Sequence, residues 1–233
     1  MGAKDTLARP ERSGVLRKAH RAGSVCKRGI RARALGFAGT ALLAVLCAGI
    51  AASTAGAYDN MYKTANYGPD CHDGSIYETF CQTDNATLTW FEQSSVTDTG
   101  QTNIRSVLEG PFEDTVLSIS RDGTPSYSGG AETDIIYQQG SLQSPFIGYT
   151  WCNDAVSDTR CDQHYVRFLH ATPSTKLACH ESGHAVGLTH GQDAAPRTGN
   201  GDDTLQCMQT PIDEVTSATL GDHQKSEITN TYN

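Results

Sequence analysis

Between residues 180 and 190 the chain reads His180-Glu181-Ser182-Gly183-His184-Ala185-Val186-Gly187-Leu188-Thr189-His190. On a helix, His180 and His184 lie one turn apart on the same face, so both imidazoles can hold one Zn²⁺. Glu181, beside the first ligand, reaches a water at the metal without binding the metal itself. Gly187 tolerates the left-handed backbone that ends a helix. The chain can then turn back and present His190 as the third metal ligand. Three neutral imidazoles leave one tetrahedral position for water, which marks a catalytic zinc site rather than a structural one. A surface helix with solvated histidines is the plain alternative. It gives no reason for Gly187 and His190 at these offsets.

Outward from this motif, the spacing predicts a helix over Ser174–Gly187, with Ser174 as N-cap after Pro173. Alternation and β-branched residues predict strands at Thr87–Gln93, Thr115–Ser120, Thr133–Tyr137, Phe146–Cys152 and His164–Leu169. A short helix is expected over Gln101–Leu108, stopped by Gly110-Pro111. A last helix is expected over Thr219–Tyr232, with Leu220, Ile228 and Tyr232 on its apolar side. Residues 58–86 are polar and irregular, and read as an N-terminal arm. The strands and helices together predict an α+β fold, a twisted mixed sheet backed by helices with the motif helix at its centre.

The 233 residues carry a net charge of −8, unevenly spread. Ten of the 18 Lys/Arg and two of the 26 acids fall in residues 1–57. Residues 58–233 therefore hold 8 bases against 24 acids, a net of −16. So acidic a surface repels phosphate backbones, and no nucleic-acid partner is expected. Residues 1–57 read as an export signal: a basic stretch, the uncharged run Ala34–Ala52, then Ala55-Gly56-Ala57 with cleavage after Ala57. An uncleaved membrane anchor is the rival reading, because 19 apolar residues approach the length that spans a bilayer. Both readings put residues 58–233 outside the cytosol. Six cysteines lie in that part, an even number that suggests three disulfides. Nearness in sequence favours Cys71–Cys81 and Cys152–Cys161, leaving Cys179–Cys207, although fifteen pairings exist in principle. Asp193, Asp202 and Asp203 offer oxygen ligands suited to Ca²⁺. His72, His164, His170 and His223 read as structural or exposed.

The residues His180, Glu181, His184, Gly187 and His190, followed by Cys207-Met208, resemble the metzincin clan of zinc endopeptidases, with Met208 at the position of the Met-turn. The order of strands before the motif helix is similar to matrixin-type catalytic domains. This resemblance covers residues 87–233 and implies a small C-terminal subdomain after Gly187, with a cleft before it. It implies that Thr210-Pro211-Ile212 forms the wall of a substrate pocket, and that the segments holding Cys179 and Cys207 meet beneath the zinc. No cysteine-switch propeptide or structural-zinc histidine cluster is apparent. The function so implied is that of a secreted, monomeric zinc endopeptidase. Its catalytic base is Glu181, its metal ligands are His180, His184 and His190, and its partner is a protein or peptide substrate lying along an edge strand at Ile147–Trp151. A membrane-anchored protease of the same chemistry and a zinc-containing binding or adhesion protein without turnover are the alternatives. Intact Glu181 argues against the last.

Overall fold

The structure is a computed structural model that describes residues 58–212 and 217–233. The expected export signal, with Cys26 and Cys47, lies outside the described residues. Among the described residues the fold is mixed α/β, with a six-stranded sheet and three α-helices. In chain order the elements are β1 (Gln82–Thr83), β2 (Thr87–Glu92), α1 (Asp98–Val107), β3 (Ser118–Arg121), β4 (Ile135–Gln139), β5 (Gly148–Ala155), β6 (Arg160–Phe168), α2 (Thr175–Ala185) and α3 (Asp222–Tyr232). The strands run β3-β2-β4-β6 in parallel, and β1 pairs in parallel with the first residues of β6. β5 lies antiparallel along the other side of β6.

One face of the sheet makes the core. Leu88 and Trp90 of β2, Ile135 and Tyr137 of β4, and Val166 and Phe168 of β6 are buried in one cluster with Ile104 and Val107 of α1 and Leu177 and Ala178 of α2. The two-residue period of a strand puts alternate side chains on this face. The chain beyond Gly187 forms no separate core among the described residues. Leu188, Ala194, Leu205, Met208, Leu220 and Ile228 belong to the same cluster.

Several boundaries differ from the sequence reading. α1 begins at Asp98, because the Thr97 hydroxyl accepts from Gly100 N–H. Gly110-Pro111 does not stop the chain from winding: a π-helical turn spans Leu108–Phe112, anchored by burial of Leu108 and Phe112. β6 starts at Arg160 rather than His164, because β1 and β5 both pair with its first residues. α3 starts at Asp222, and Leu220 is buried ahead of it. Residues 58–86 are more than an arm. Tyr58 and Met61 enter the main core, and Asp59 and Met61 form bridges to Ala195 and Leu188.

All three disulfides follow the expected pairing, Cys71–Cys81, Cys152–Cys161 and Cys179–Cys207. The first two sit together with Tyr62 in a small second cluster, with Cys71 and Cys152 sulfurs 3.7 Å apart. Among the described residues, no helix is long and apolar enough to cross a membrane.

Candidate metal centre

Helix α2 is built to be buried. Every residue from Leu177 to Ala185 is buried, polar ones included. Buried polar groups need partners, and these have them. The Ser174 hydroxyl caps the first turn by accepting from Leu177 N–H. Ser182 Oγ and Tyr137 Oη lie 2.6 Å apart. His180 Nδ1 donates to Cys207 O at 2.8 Å, and His184 Nδ1 donates to Leu188 O at 2.7 Å. A carbonyl can only accept, so each Nδ1 carries the proton and each Nε2 keeps its lone pair. This removes the solvated-histidine reading.

The helix ends in a Schellman motif. Gly187 has φ +95°, Gly187 N–H donates to His184 O, and Leu188 N–H donates to Gly183 O. The reversed chain is gripped from the far end of the sequence. Tyr62 N–H donates to Gly187 O, and Thr189 N–H donates to Asn60 O. Asn60 Nδ2 donates to Thr189 O. His190 is thereby brought over the helix.

The three Nε2 atoms converge. His180–His184 is 3.2 Å, His184–His190 is 3.1 Å and His180–His190 is 3.0 Å. A tetrahedral site with metal–nitrogen bonds of about 2.0–2.1 Å needs nitrogens about 3.3 Å apart. Burial, the largest cause, pushes His180 down to about 3 and His190 down to about 4, and lowers His184 well below the ordinary range. The neutral, ligating form is thus held at neutral pH. The Nε2 lone pairs of His180 and His184 face the same point and repel each other, and a cation there removes the repulsion. The residues fit a metal ion.

Glu181 sits beside this cluster, buried, with Oε2 accepting from Thr150 Oγ1 at 2.7 Å. Burial pushes its carboxyl up to about 8, and the Thr150 hydrogen bond opposes that rise. Gly148 makes the room: a Cβ there would stand 2.8 Å from the Glu181 Cδ. The cleft next to the cluster encloses about 590 Å³. Leu177, Tyr149, Ile147, Pro211 and Ile212 line it together with His180, Glu181, His184 and His190. Thr210, Pro211 and Ile212 also line the cavity.

Met208 lies fully buried against α2, where a Cβ on Gly183 would run into its Sδ. The Cys179–Cys207 bridge holds the same junction, and Cys207 O is the acceptor that orients His180. Replacing both cysteines by Ser is expected to lower stability by about 3–4 kcal/mol, from the loop-closure entropy of a 28-residue separation. A metal ion on the histidines should also bind more weakly, because the Cys207 carbonyl that orients His180 is no longer tied to α2. Denaturant titration and metal analysis read the two effects. Unchanged stability would remove the clamp from the description.

Among the described residues, Asp193, Asp202 and Asp203 do not converge on one point. Asp202 is engaged as a cap, accepting from Thr204 and Thr198. Asp203 accepts from Gln209. Asp193 faces the histidines instead, its Oδ2 4.0 Å from His190 Nδ1. His164 is structural: its Nε2 accepts from Cys81 N–H in the core. Thr150, Asn60 and Phe80, whose ring lies 4.4 Å from that of His184, were not found from sequence. Asn60 and Thr150 act through backbone and hydroxyl contacts that leave no motif. Neither a scan against protein-family models nor a search of curated proteins finds a match for the chain.

Proposed function

We propose that the protein is a zinc-dependent endopeptidase of the metzincin type, acting outside the cytosol. The observation that carries the reading is the convergence of three imidazole Nε2 atoms at 3.0–3.2 Å beside a buried glutamate, at the wall of an open cleft. His180, His184 and His190 would hold the metal. When bound, zinc supplies a Lewis acid that polarises a carbonyl and makes water acidic enough to lose a proton near neutral pH. Glu181 takes that proton and returns it to the leaving amine. Thr150 fixes the carboxylate while it does so, and the three disulfides suit an oxidising compartment.

The substrate, a protein or peptide, would lie along β5. Cys152 N–H donates outward to Thr79 O, and Cys152 O accepts from Gly74 N–H, so the far end of this edge is covered. By the two-residue period, the backbone groups of Gly148 and Thr150 point the same way, along the cleft. An extended peptide can add to this edge by main-chain hydrogen bonds, with one side chain entering the apolar cavity. Residues 58–233 would be the working enzyme after cleavage at Ala57.

Mass spectrometry of a peptide library incubated with purified protein tests this. New termini should appear, with an apolar residue enriched on one side of the cut. A zinc chelator should abolish them, and added zinc should restore them. No cleavage by zinc-loaded protein, or cleavage insensitive to the chelator, would reject the proposal.

A further inference from the structure

The open edge of β5 is short. Ile147 O accepts from Leu169 N–H, just past β6, so by the two-residue period Gly148, Thr150 and Cys152 turn their backbone groups outward. Among the described residues, no main-chain partner takes the outward groups of Gly148 and Thr150. Cys152 is different. Its N–H donates to Thr79 O at 2.9 Å, and its O accepts from Gly74 N–H at 3.1 Å. Gly74 and Thr79 belong to the loop closed by the Cys71–Cys81 disulfide. The open edge therefore ends two residues past Thr150, about 7 Å along the strand. Thr150 Oγ1 lies 2.7 Å from Glu181 Oε2, so the catalytic carboxyl sits close to this closed end. At the other end of β5, Phe146 and Ile147 are exposed.

The cover is built to stay. The Cys71–Cys81 bridge packs against Cys152–Cys161 in one buried cluster with Tyr62. Cys71 N–H donates to Asp158 O at 2.9 Å, which ties the loop to the turn between β5 and β6. Ala155 N–H donates to Asp73 Oδ1 at 2.8 Å, and Tyr149 Oη donates to Glu78 O at 3.2 Å. The Tyr77 ring sits 5.1 Å from that of Tyr149 and 5.6 Å from that of Phe146. Tyr77 holds φ +76°, a left-handed backbone that residues other than glycine seldom adopt. Surroundings that override such a preference belong to a fixed element, not to a swinging lid. The loop between Cys71 and Cys81 carries Asp73 and Glu78 and no Lys or Arg, a sign of charge that suits a substrate's α-ammonium.

We propose that the enzyme prefers bonds close to a free amino terminus, because the Cys71–Cys81 loop ends the cleft and leaves room for about two residues ahead of the bond that is cut. This rests on the peptidase reading above and narrows it to one substrate class, chains with an extended, unblocked amino-terminal end. Antiparallel addition to a strand edge gives the better-aligned hydrogen bonds. A substrate antiparallel to β5 enters with its amino-terminal residues toward Cys152, where it meets Thr79 and Gly74. Its carboxyl-terminal part runs out past Gly148. Water adds across the scissile C–N bond, its hydroxyl to the carbonyl carbon and its other proton to the amine. A fragment of one or two residues then leaves from the amino-terminal side. A longer amino-terminal part has to bend off the edge before Cys152 and gives up main-chain hydrogen bonds.

The test gives the full chain, zinc-loaded, two sets of quenched fluorogenic peptides that share the residues around one cleaved bond. One set lengthens the amino-terminal side a residue at a time, and the other lengthens the carboxyl side. In the first set kcat/KM should fall at least about tenfold once the side grows past two residues, the worth of one or two main-chain hydrogen bonds. In the second set it should hold or rise. With an unstructured protein as substrate, mass spectrometry should find amino-terminal fragments of one or two residues as the first products. Cys71→Ser combined with Cys81→Ser loosens the cover, and the ratio of rates for short and long amino-terminal sides should fall toward one. If that variant fails to fold, the peptide sets with the parent protein still decide. Equal rates along the first set, or a loss along the second set only, would overturn the inference and leave the peptidase reading standing. An unchanged ratio in the folded double variant would overturn it as well. Cleavage of no peptide in either set would remove the peptidase reading itself, and this inference with it.

Discussion

Glu181→Gln is expected to keep its zinc and its fold and to hydrolyse peptides about 10²–10⁴-fold more slowly, the usual worth of a positioned proton-transfer group. The amide has nearly the shape of the carboxylate and still accepts a hydrogen bond from Thr150, so the cleft should not rearrange. What it loses is the ability to take a proton. The same substitution carries a second signature in metal-free protein. Burial pushes the Glu181 carboxyl up to about 8, well above its unfolded value. An acid raised in this way contributes stability that is fully present below the unfolded value and lost as pH rises through about 8. Glutamine has no charge to bury. The variant should therefore gain on the parent steadily between pH 5 and 8 when Tm is followed without zinc. With zinc bound the gain should shrink, because a cation nearby favours the carboxylate. Turnover near the parent's rate would end the assignment of Glu181 as base.

The parts of the site that sequence revealed are those with a local spacing. The i, i+4 histidines, the helix-ending Gly187 and His190 form one short run, and the Schellman hydrogen bonds are local as well. Disulfides between near neighbours were legible for the same reason: Cys152 and Cys161 flank a hairpin turn, and Cys71 and Cys81 close a short loop. What stayed hidden is what acts at long range through the backbone. Asn60 and Tyr62 hold the His190 segment by main-chain and amide hydrogen bonds across more than a hundred residues. Nothing in their polar, irregular surroundings marks them. Thr150 reads as one residue of a strand, and only the packing of β5 on α2 puts it on Glu181. The acids that do look clustered in sequence, Asp202 and Asp203, serve as caps and hydrogen-bond acceptors. Strand edges moved because pairing partners set where a ladder begins.

His190→Ala is expected to leave the fold intact and strip the protein of zinc. His190 is the one ligand carried by the reversed chain rather than by α2, and its side chain is 29 % exposed. Removing it opens no deep cavity. The remaining His180 and His184, on one helix turn, make a weak two-ligand site. Zinc content after dialysis against a competing chelator should fall from about one per chain to under about a tenth, with hydrolysis lost in step. Each hundredfold loss of affinity removes about 2.7 kcal/mol of zinc-dependent stability at fixed zinc. For a domain of this size that is about 5–10 °C in Tm. Without zinc the order should reverse or level. The parent then holds three imidazole nitrogens within 3.2 Å, and burial pushes His190 down to about 4, so protonation gives no relief at neutral pH. The variant lacks one of those crowded nitrogens and one buried imidazole. Calorimetry of both proteins with and without zinc separates this from simple damage, which would lower Tm in both states. Stoichiometric, tightly held zinc in His190→Ala would mean that another donor completes the site. Asp193, whose Oδ2 lies 4.0 Å from His190 Nδ1, is one candidate. His190→Ala combined with Asp193→Asn would then have to lose the metal.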